Sequence, residues 1–322
     1  MNEQQNLLVI ADSQAEYLEP LRTVLGKVNV QISNQVDVLR MHSSTADIIL
    51  YVNTPGPLRA IFPHAKRLKW LHSLNTGVES LLFPEMLSSS VVLTNSRGAY
   101  KTALAEFVMA SVLFFTKHIR KLIDNQATRL WEQFDSEEVR GKVMGIVGYG
   151  ETGHACAGLA RAFGMTVFAL RRRPHLSTQD PLLEKLFGVD QLHTMLPACD
   201  FIVLSAPGTP NTIKMIGTAE LSLLRQSAVL INVGRGTVVD EVALIKSLQE
   251  RSLAGAALDV FQGEPLAPDH PFYKLDNVLL SPHCTDHVPG WRTRAVEDFV
   301  NNLNRYLTKK PLANIVDKVA GY

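Results

Sequence analysis

The stretch Lys142-Val-Met-Gly-Ile-Val-Gly-Tyr-Gly-Glu-Thr-Gly153 decides the fold of this chain. Its apolar run, Val143 to Val147, reads as a fully buried strand that stops at the GxGxxG spacing of Gly148, Gly150 and Gly153. Gly148 permits a tight turn, Gly150 lets the backbone approach a pyrophosphate, and Gly153 lets the following helix pack against the strand. The free N–H groups at that helix start then face an anion. Such a glycine pattern alone is a weak signal, but its context strengthens it. Ala155, Cys156, Leu159, Ala160 and Phe163 recur with helical spacing, Phe163-Gly164 closes the helix, and a second apolar run follows from Met165 to Leu170. Strand, glycine turn, helix and strand within about thirty residues make the βαβ unit of a dinucleotide site.

At 322 residues the chain is too long for one ordinary core and predicts about two domains, with a hydrophobic fraction of 46% ample for burial. A formal net charge of +1 offers no electrostatic case for nucleic acid or an anionic membrane as partner. The three cysteines, Cys156, Cys199 and Cys284, are odd in number and widely spaced, which fits a reducing compartment. The polar opening, Met1 to Asn6, lacks the basic segment and apolar core of a secretory signal. These features predict a soluble cytoplasmic protein.

In the first hundred residues, short apolar runs at Leu7–Ile10, Asn29–Ile32, Ile48–Val52, Lys69–His72 and Val91–Thr94 alternate with helical patterns such as Ala15–Leu25, predicting a mostly parallel sheet. Leu74-Asn75-Thr76-Gly77-Val78-Glu79 follows one of these strands, as either a simple connection or a carboxylate cradle of main-chain donors. Thr102 to Phe115 is nearly all apolar but too short for a bilayer and holds Glu106, so a helix buried between domains or subunits is expected. The crossing between domains is placed just before it, near Gly98 to Lys101. Beyond the βαβ unit, Asp200–Ser205, Ala228–Val233, Leu253–Val260 and Asn277–Leu280 read as strands, and Thr218–Leu224 and Asp240–Gln249 as helices. A last helix, about Trp291 to Leu307, follows the completed sheet and is expected to return to the first domain. The fold class is α/β, with two doubly wound parallel-sheet domains: residues 1–100 with 287–322, and residues 101–286.

Ligands of open α/β sheets bind outside the carboxyl ends of the strands. At the end of the second βαβ strand stand Arg171, Arg172 and Arg173, where an NAD enzyme usually places an acid, and no acid occurs from Met165 to Gln179. The planar donors suit a 2′-phosphate, favouring NADP(H) over NAD(H), although a solvated turn would look the same. Gly234-Arg235-Gly236 follows another strand, and its guanidinium has the freedom to hold a carboxylate in two hydrogen bonds or simply to face solvent. Glu264 lies in a Gly/Pro loop after Val260, and His283 follows the strand ending at Leu280. A strand-end histidine and glutamate can form a proton-exchanging dyad. His283 and His287 are four apart, but Pro282 argues against the helix that would pair them on a zinc ion, so no metal is expected.

Taken in order, Gly148-x-Gly150-x-x-Gly153, Asn232-Val233-Gly234-Arg235-Gly236, Ala257-Leu258-Asp259-Val260-Phe261 with Glu264-Pro265, and Ser281-Pro282-His283 resemble the signatures of the D-isomer-specific 2-hydroxyacid dehydrogenases. Thr76-Gly77-Val78 and Ala105-Glu106 resemble that family's substrate loop and first inter-domain helix. The resemblance implies a Rossmann-type cofactor domain inserted into a flavodoxin-like substrate domain, a site in the cleft, and a homodimer. It assigns Arg235 to the substrate carboxylate and carbonyl, His283 to proton donation, Glu264 to pairing with His283, main-chain donors near Thr76 and Gly77 to the carboxylate, and Asp259 to the nicotinamide amide. The full expected cofactor set is Gly148, Gly150, Glu151, Thr152, Gly153, Arg171, Arg172, Arg173, Ala206, Pro207, Thr212, Val233, Gly234 and Asp259. Arginine replaces the ribose acid in glyoxylate and hydroxypyruvate reductases, as Arg171 does here, which implies NADPH-dependent reduction of a small 2-keto acid to the D-2-hydroxy acid. Cys284-Thr285-Asp286-His287 departs from the family pattern and leaves the substrate open. A co-regulator that binds the dinucleotide with vestigial catalysis is the alternative, and intact Arg235, Glu264 and His283 argue against it.

Overall fold

A computed structural model describes residues 4–52 and 56–322, so residues 1–3 of the polar opening lie outside it. The chain divides into two compact units, one formed by Met1–Ala99 with Val288–Tyr322 and the other by Tyr100–His287.

The first unit holds strands β1 (Asn6–Ile10), β2 (Asn29–Ser33), β3 (Ile48–Tyr51), β4 (Trp70–Ser73) and β5 (Val92–Asn95), all parallel in the order β2-β1-β3-β4-β5. β1, β3 and β4 are buried along nearly their whole length, which explains why they are continuous apolar runs rather than alternating ones. The helical pattern at Ala15–Leu25 becomes a 3-10 helix, Glu16–Val24. Pro20 lies inside it, and a proline lacks the N–H and adds the ring clash that together disfavour a regular α-helix. The last helix, Trp291–Leu307, belongs to this unit and packs on that 3-10 segment. Phe299 and Tyr306 on it stack against the fully buried Trp70, each ring pair 5.3 Å apart.

His72 on β4 is enclosed in the same core, with Nδ1 2.8 Å from Thr94 Oγ1 and Nε2 3.3 Å from Ser96 Oγ. Loss of water around the ring pulls its pKa down to about 3, so the folded protein holds it neutral. Below an unfolded value of about 6.5 the unfolded chain binds a proton that the folded chain refuses, so stability falls with pH, by about 1.4 kcal/mol per pH unit. Urea unfolding followed by tryptophan fluorescence should therefore show His72 contributing about 3 kcal/mol of the loss between pH 7 and pH 4.5. His72→Gln should shrink that pH-dependent loss; an identical loss in the variant would rule His72 out as its source.

The second unit holds β6 (Val143–Val147), β7 (Thr166–Leu170), β8 (Lys185–Phe187), β9 (Phe201–Leu204), β10 (Val229–Asn232), β11 (Gly255–Leu258) and β12 (Val278–Leu280). They form a parallel sheet in the order β12-β11-β10-β9-β6-β7-β8, the doubly wound pattern with its reversal between β6 and β9. β8, of three residues at the sheet edge, had no legible apolar run. The polar text from Asp124 also hides the second half of a helix, Ile119–Thr128. Lys101–Thr116 is a helix that buries Ala105, Val108, Met109 and Val112 and packs on the helix Glu151–Ala162 that follows the glycine turn. Among the described residues no single helix is long and apolar enough to cross a membrane; Lys101–Thr116 and Ile119–Thr128 meet that test only together, and they are bent by 61°.

Candidate active site

The site residues of the second unit issue from the carboxyl ends of neighbouring parallel strands, which are in register. Asn232 pairs with Leu258 and Leu258 with Leu280, so the segments that follow β10, β11 and β12 leave side by side. Asp259 N donates to Asn232 O at 3.0 Å and Ser281 N to Leu258 O at 2.9 Å, continuing the alignment past the strands.

At the glycine turn, Gly148 has φ +98°, and a Cβ there would lie 2.5 Å from Ala206 N. Both facts demand glycine. A Cβ on Gly153 would lie 2.8 Å from Gly148 O and 3.0 Å from Ile146 Cγ2, so the helix approaches its strand as the spacing requires. Gly150 differs, because a Cβ there would meet nothing within 4 Å. Its backbone faces open space, and the helix beginning at Glu151 has no side-chain cap. An uncapped helix start beside an open backbone fits a pyrophosphate. The Glu151 carboxylate accepts from Lys101 Nζ at 2.8 Å, and Thr152 lies in the first turn of the same helix.

Arg171 follows β7, its N–H bonded to Phe187 O at 3.0 Å and its guanidinium Nη1 donating to Ser177 Oγ. Arg172 and Arg173 are exposed. Ala206 is buried where β9 ends, and Thr212 Oγ1 donates to Pro207 O at 2.6 Å while accepting from Thr209 N at 2.8 Å. The Thr212 hydroxyl thus braces its own loop.

The Gly234-Arg235-Gly236 loop is wedged between neighbours. A Cβ on Gly234 would lie 2.7 Å from Ala206 O, and one on Gly236 2.0 Å from the Phe261 carbonyl carbon. Beyond the freedom they leave the guanidinium, these glycines have a tertiary reason, which is close backbone passage. Val233, just ahead of them, is buried. Buried Asn232 holds the loop from both sides: its Oδ1 accepts from Gly234 N and its Nδ2 donates to Arg235 O, both at 3.1 Å. Arg235 is half-buried, and its Nη1 donates to Gly234 O at 2.7 Å. Sequence spacing alone assigns Asn232 no role, but a buried amide before a glycine turn must find partners, and these are the loop's own backbone groups.

Glu264 and His283 meet. Glu264 Oε2 lies 2.7 Å from His283 Nδ1, and Glu264 Oε1 accepts from Phe261 N at 3.0 Å. An ionised carboxylate only accepts, so Nδ1 carries the hydrogen and Nε2 is left for exchange. His283 adopts φ +52°, a left-handed conformation uncommon for a residue with a side chain. Asp259 supports the turn beyond it. Its Oδ1 accepts from Cys284 N at 3.1 Å and its Oδ2 from the Thr285 hydroxyl at 2.7 Å. At 2% exposure, Asp259 is enclosed by the turn that carries His283. Within the segment that departs from the family pattern, Thr285 is thereby explained as a side-chain partner of that carboxylate, whereas Cys284 contributes only its backbone N–H. Burial raises the Asp286 pKa, and His287 Nε2 stands 3.7 Å from Asp286 Oδ1. Among the described residues no group of three or more His, Cys, Asp or Glu side chains is placed to hold a metal ion.

Thr76 and Gly77 lie in the first unit, in the loop after β4. Thr76 O accepts from Asn95 Nδ2 at 2.6 Å and its hydroxyl donates to Ser96 O at 3.4 Å, so the loop is braced by the residues at the end of β5.

Residues 109–285 match the model of the D-isomer specific 2-hydroxyacid dehydrogenase NAD binding domain. The glyoxylate reductase of Thermofilum pendens is 32% identical over 280 residues, 84% of this chain and 81% of that protein. The D-isomer specific 2-hydroxyacid dehydrogenase of Xanthobacter autotrophicus, solved with NADPH and MES, superposes with a TM-score of 0.87 at 27% identity, covering 99% of this chain and 100% of that one. The NADPH-dependent glyoxylate/hydroxypyruvate reductase of Sinorhizobium meliloti, solved with NADP and sulfate, gives a TM-score of 0.86 at 25% identity over 99% and 100% of the two chains. The strand-end loops, the glycine turn and these likenesses agree: the chain belongs to the D-isomer specific 2-hydroxyacid dehydrogenases, and it is an enzyme of that family.

Proposed function

We propose that this enzyme reduces a small 2-keto acid of the glyoxylate or hydroxypyruvate kind to the D-2-hydroxy acid, with NADPH preferred over NADH. The observation that carries the reading is the 2.7 Å pair of His283 Nδ1 and Glu264 Oε2, beyond the same carboxyl ends of the strands as Arg235. Arg235 binds the keto-acid carboxylate and polarises its carbonyl, and the main chain at Thr76 and Gly77 of the first, substrate-binding unit supplies further donors. His283 gives the proton on Nε2 to the carbonyl oxygen, while Glu264 holds the ring's tautomer and orientation. When bound, the reduced nicotinamide supplies the hydride. Gly148 to Gly153 receive the pyrophosphate, and Ala206, Pro207, Thr212, Val233, Gly234 and Asp259 line the rest of the cofactor's path. Arg171, Arg172 and Arg173 receive the 2′-phosphate, which the two NADP-bound neighbours support as a likeness.

The test is consumption of NADPH and of NADH with glyoxylate, hydroxypyruvate and a panel of longer keto acids. The short acids with NADPH should give the highest kcat/KM. A clear NADH preference would dismiss the arginine assignment, and silence across the whole panel would favour a dinucleotide-binding co-regulator.

The assembly we propose is a homodimer in the cytoplasm. Leu122, Ile123, Leu130 and Trp131 are exposed together along one run of the second unit, Trp131 at 93%, an apolar surface that a second copy would cover. Sedimentation showing a monomer at micromolar concentration would remove the dimer.

A further inference from the structure

Asp180 stands just past the acid-free segment 165–179, too far along for a ribose-binding acid by sequence spacing. The fold nevertheless carries it back to the glycine turn. The hydroxyl of Tyr149, the residue between Gly148 and Gly150, donates to Asp180 Oδ2 at 2.8 Å, and His154 Nε2 lies 3.5 Å from the same oxygen. Oδ1 accepts from Leu182 N at 3.0 Å. With its carboxylate only 12% exposed, Asp180 turns both oxygens toward protein donors, whereas an acid that accepts from a ribose hydroxyl must turn one toward the ligand. Ser177, buried three residues earlier in the same loop, accepts from the Arg171 guanidinium. Between this loop and His154 lies a cavity of about 570 Å³, lined also by His175, Thr178 and Gln179.

An acid beside a phosphate site would ordinarily repel the ligand, so one whose oxygens both face protein donors asks for another role. We propose that Asp180 is a positioning residue for cofactor choice: by pinning the loop 174–182 to Tyr149, it holds Arg171, through Ser177, where a ribose 2′-phosphate binds. This rests on the NADPH reading above. Burial, reinforced by the Asp180 charge, raises the Tyr149 pKa, so the phenol keeps its proton and stays a donor at working pH. Tyr149→Phe would leave the Asp180 carboxylate short of a donor and its charge bearing on the phosphate pocket, while Asp180→Ala would release the loop.

The experiment is calorimetric binding of two unreactive probes, 2′-phospho-ADP-ribose and ADP-ribose, to the full chain and its variants. The wild type should prefer the 2′-phosphorylated probe. Tyr149→Phe and Asp180→Ala should each cut that preference about tenfold, and the double variant should lose little more than the stronger single, because both break the Tyr149–Asp180 bond. Asp180→Asn, which keeps a carbonyl acceptor for Tyr149, should retain most of the preference. Equal weakening of both probes, additive losses, or a preference unchanged in both single variants would overturn the pin while leaving the NADPH reading standing. A wild type without preference for the 2′-phosphate would overturn both.

Discussion

His283→Ala is expected to lower kcat for keto-acid reduction by about 10²–10⁴-fold, the range for removing a positioned general acid. The loss should sit in the chemical step. His283 lies beyond β12 at one end of the sheet, whereas the glycine turn and the arginines follow β6 and β7 on the far side of the strand-order reversal. Binding of the reduced dinucleotide, followed by quenching of protein fluorescence, should therefore shift by no more than a few-fold. Glu264→Gln should also lower kcat, because an amide can turn its NH2 as well as its oxygen to Nδ1 and so no longer fixes the tautomer. A single-turnover rate within threefold of wild type for His283→Ala would exclude this imidazole as the proton donor.

Arg235→Lys is expected to cost about 10²–10³-fold in kcat/KM although the charge is kept. The guanidinium Nη1 donates to Gly234 O at 2.7 Å, and the rigid planar fork of an arginine matches a carboxylate in two parallel hydrogen bonds. An ammonium is a point donor on a flexible stem and cannot both anchor to its own loop and grip two oxygens. The loop itself should survive the exchange, because Asn232 and the packing of Gly234 and Gly236 hold it independently of the side chain's head. Steady-state kinetics with the preferred keto acid decide the matter, and a loss below about fivefold would mean that Arg235 does not bind the substrate in two hydrogen bonds.

The elements that were legible in the sequence are those whose cause is local. Val143–Val147, Phe201–Leu204 and Val229–Asn232 are buried on both faces and so appear as unbroken apolar runs, and the cap Asp240 marks the helix that follows it, its side chain accepting from Val242 N and Ala243 N. β8 is not legible because a three-residue edge strand needs no apolar run, and the helical periodicity of Ala15–Leu25 does not separate an α-helix from the 3-10 helix found there, which has Pro20 inside it. The site divides in the same way. Arg235, Glu264 and His283 could be picked out because each follows a strand, where an open sheet exposes its ligands. Tyr149 and Asp180 could not, since they meet only through the fold, whereas Asn232 bonds to Gly234 and Arg235 within its own loop.

The amino-acid order by itself determined the βαβ unit, the parallel sheets and the chemical types at the strand ends, because burial period, glycine spacing and side-chain chemistry act over a few residues. Only the tertiary structure decided that Glu264 faces His283 at 2.7 Å, that Asp259 is enclosed by the turn bearing that histidine, and that Asp180 returns to the glycine turn. Those pairings depend on strand order and register, which bring together residues 19 to 31 positions apart, and no periodicity within a single segment encodes which strand will lie beside which.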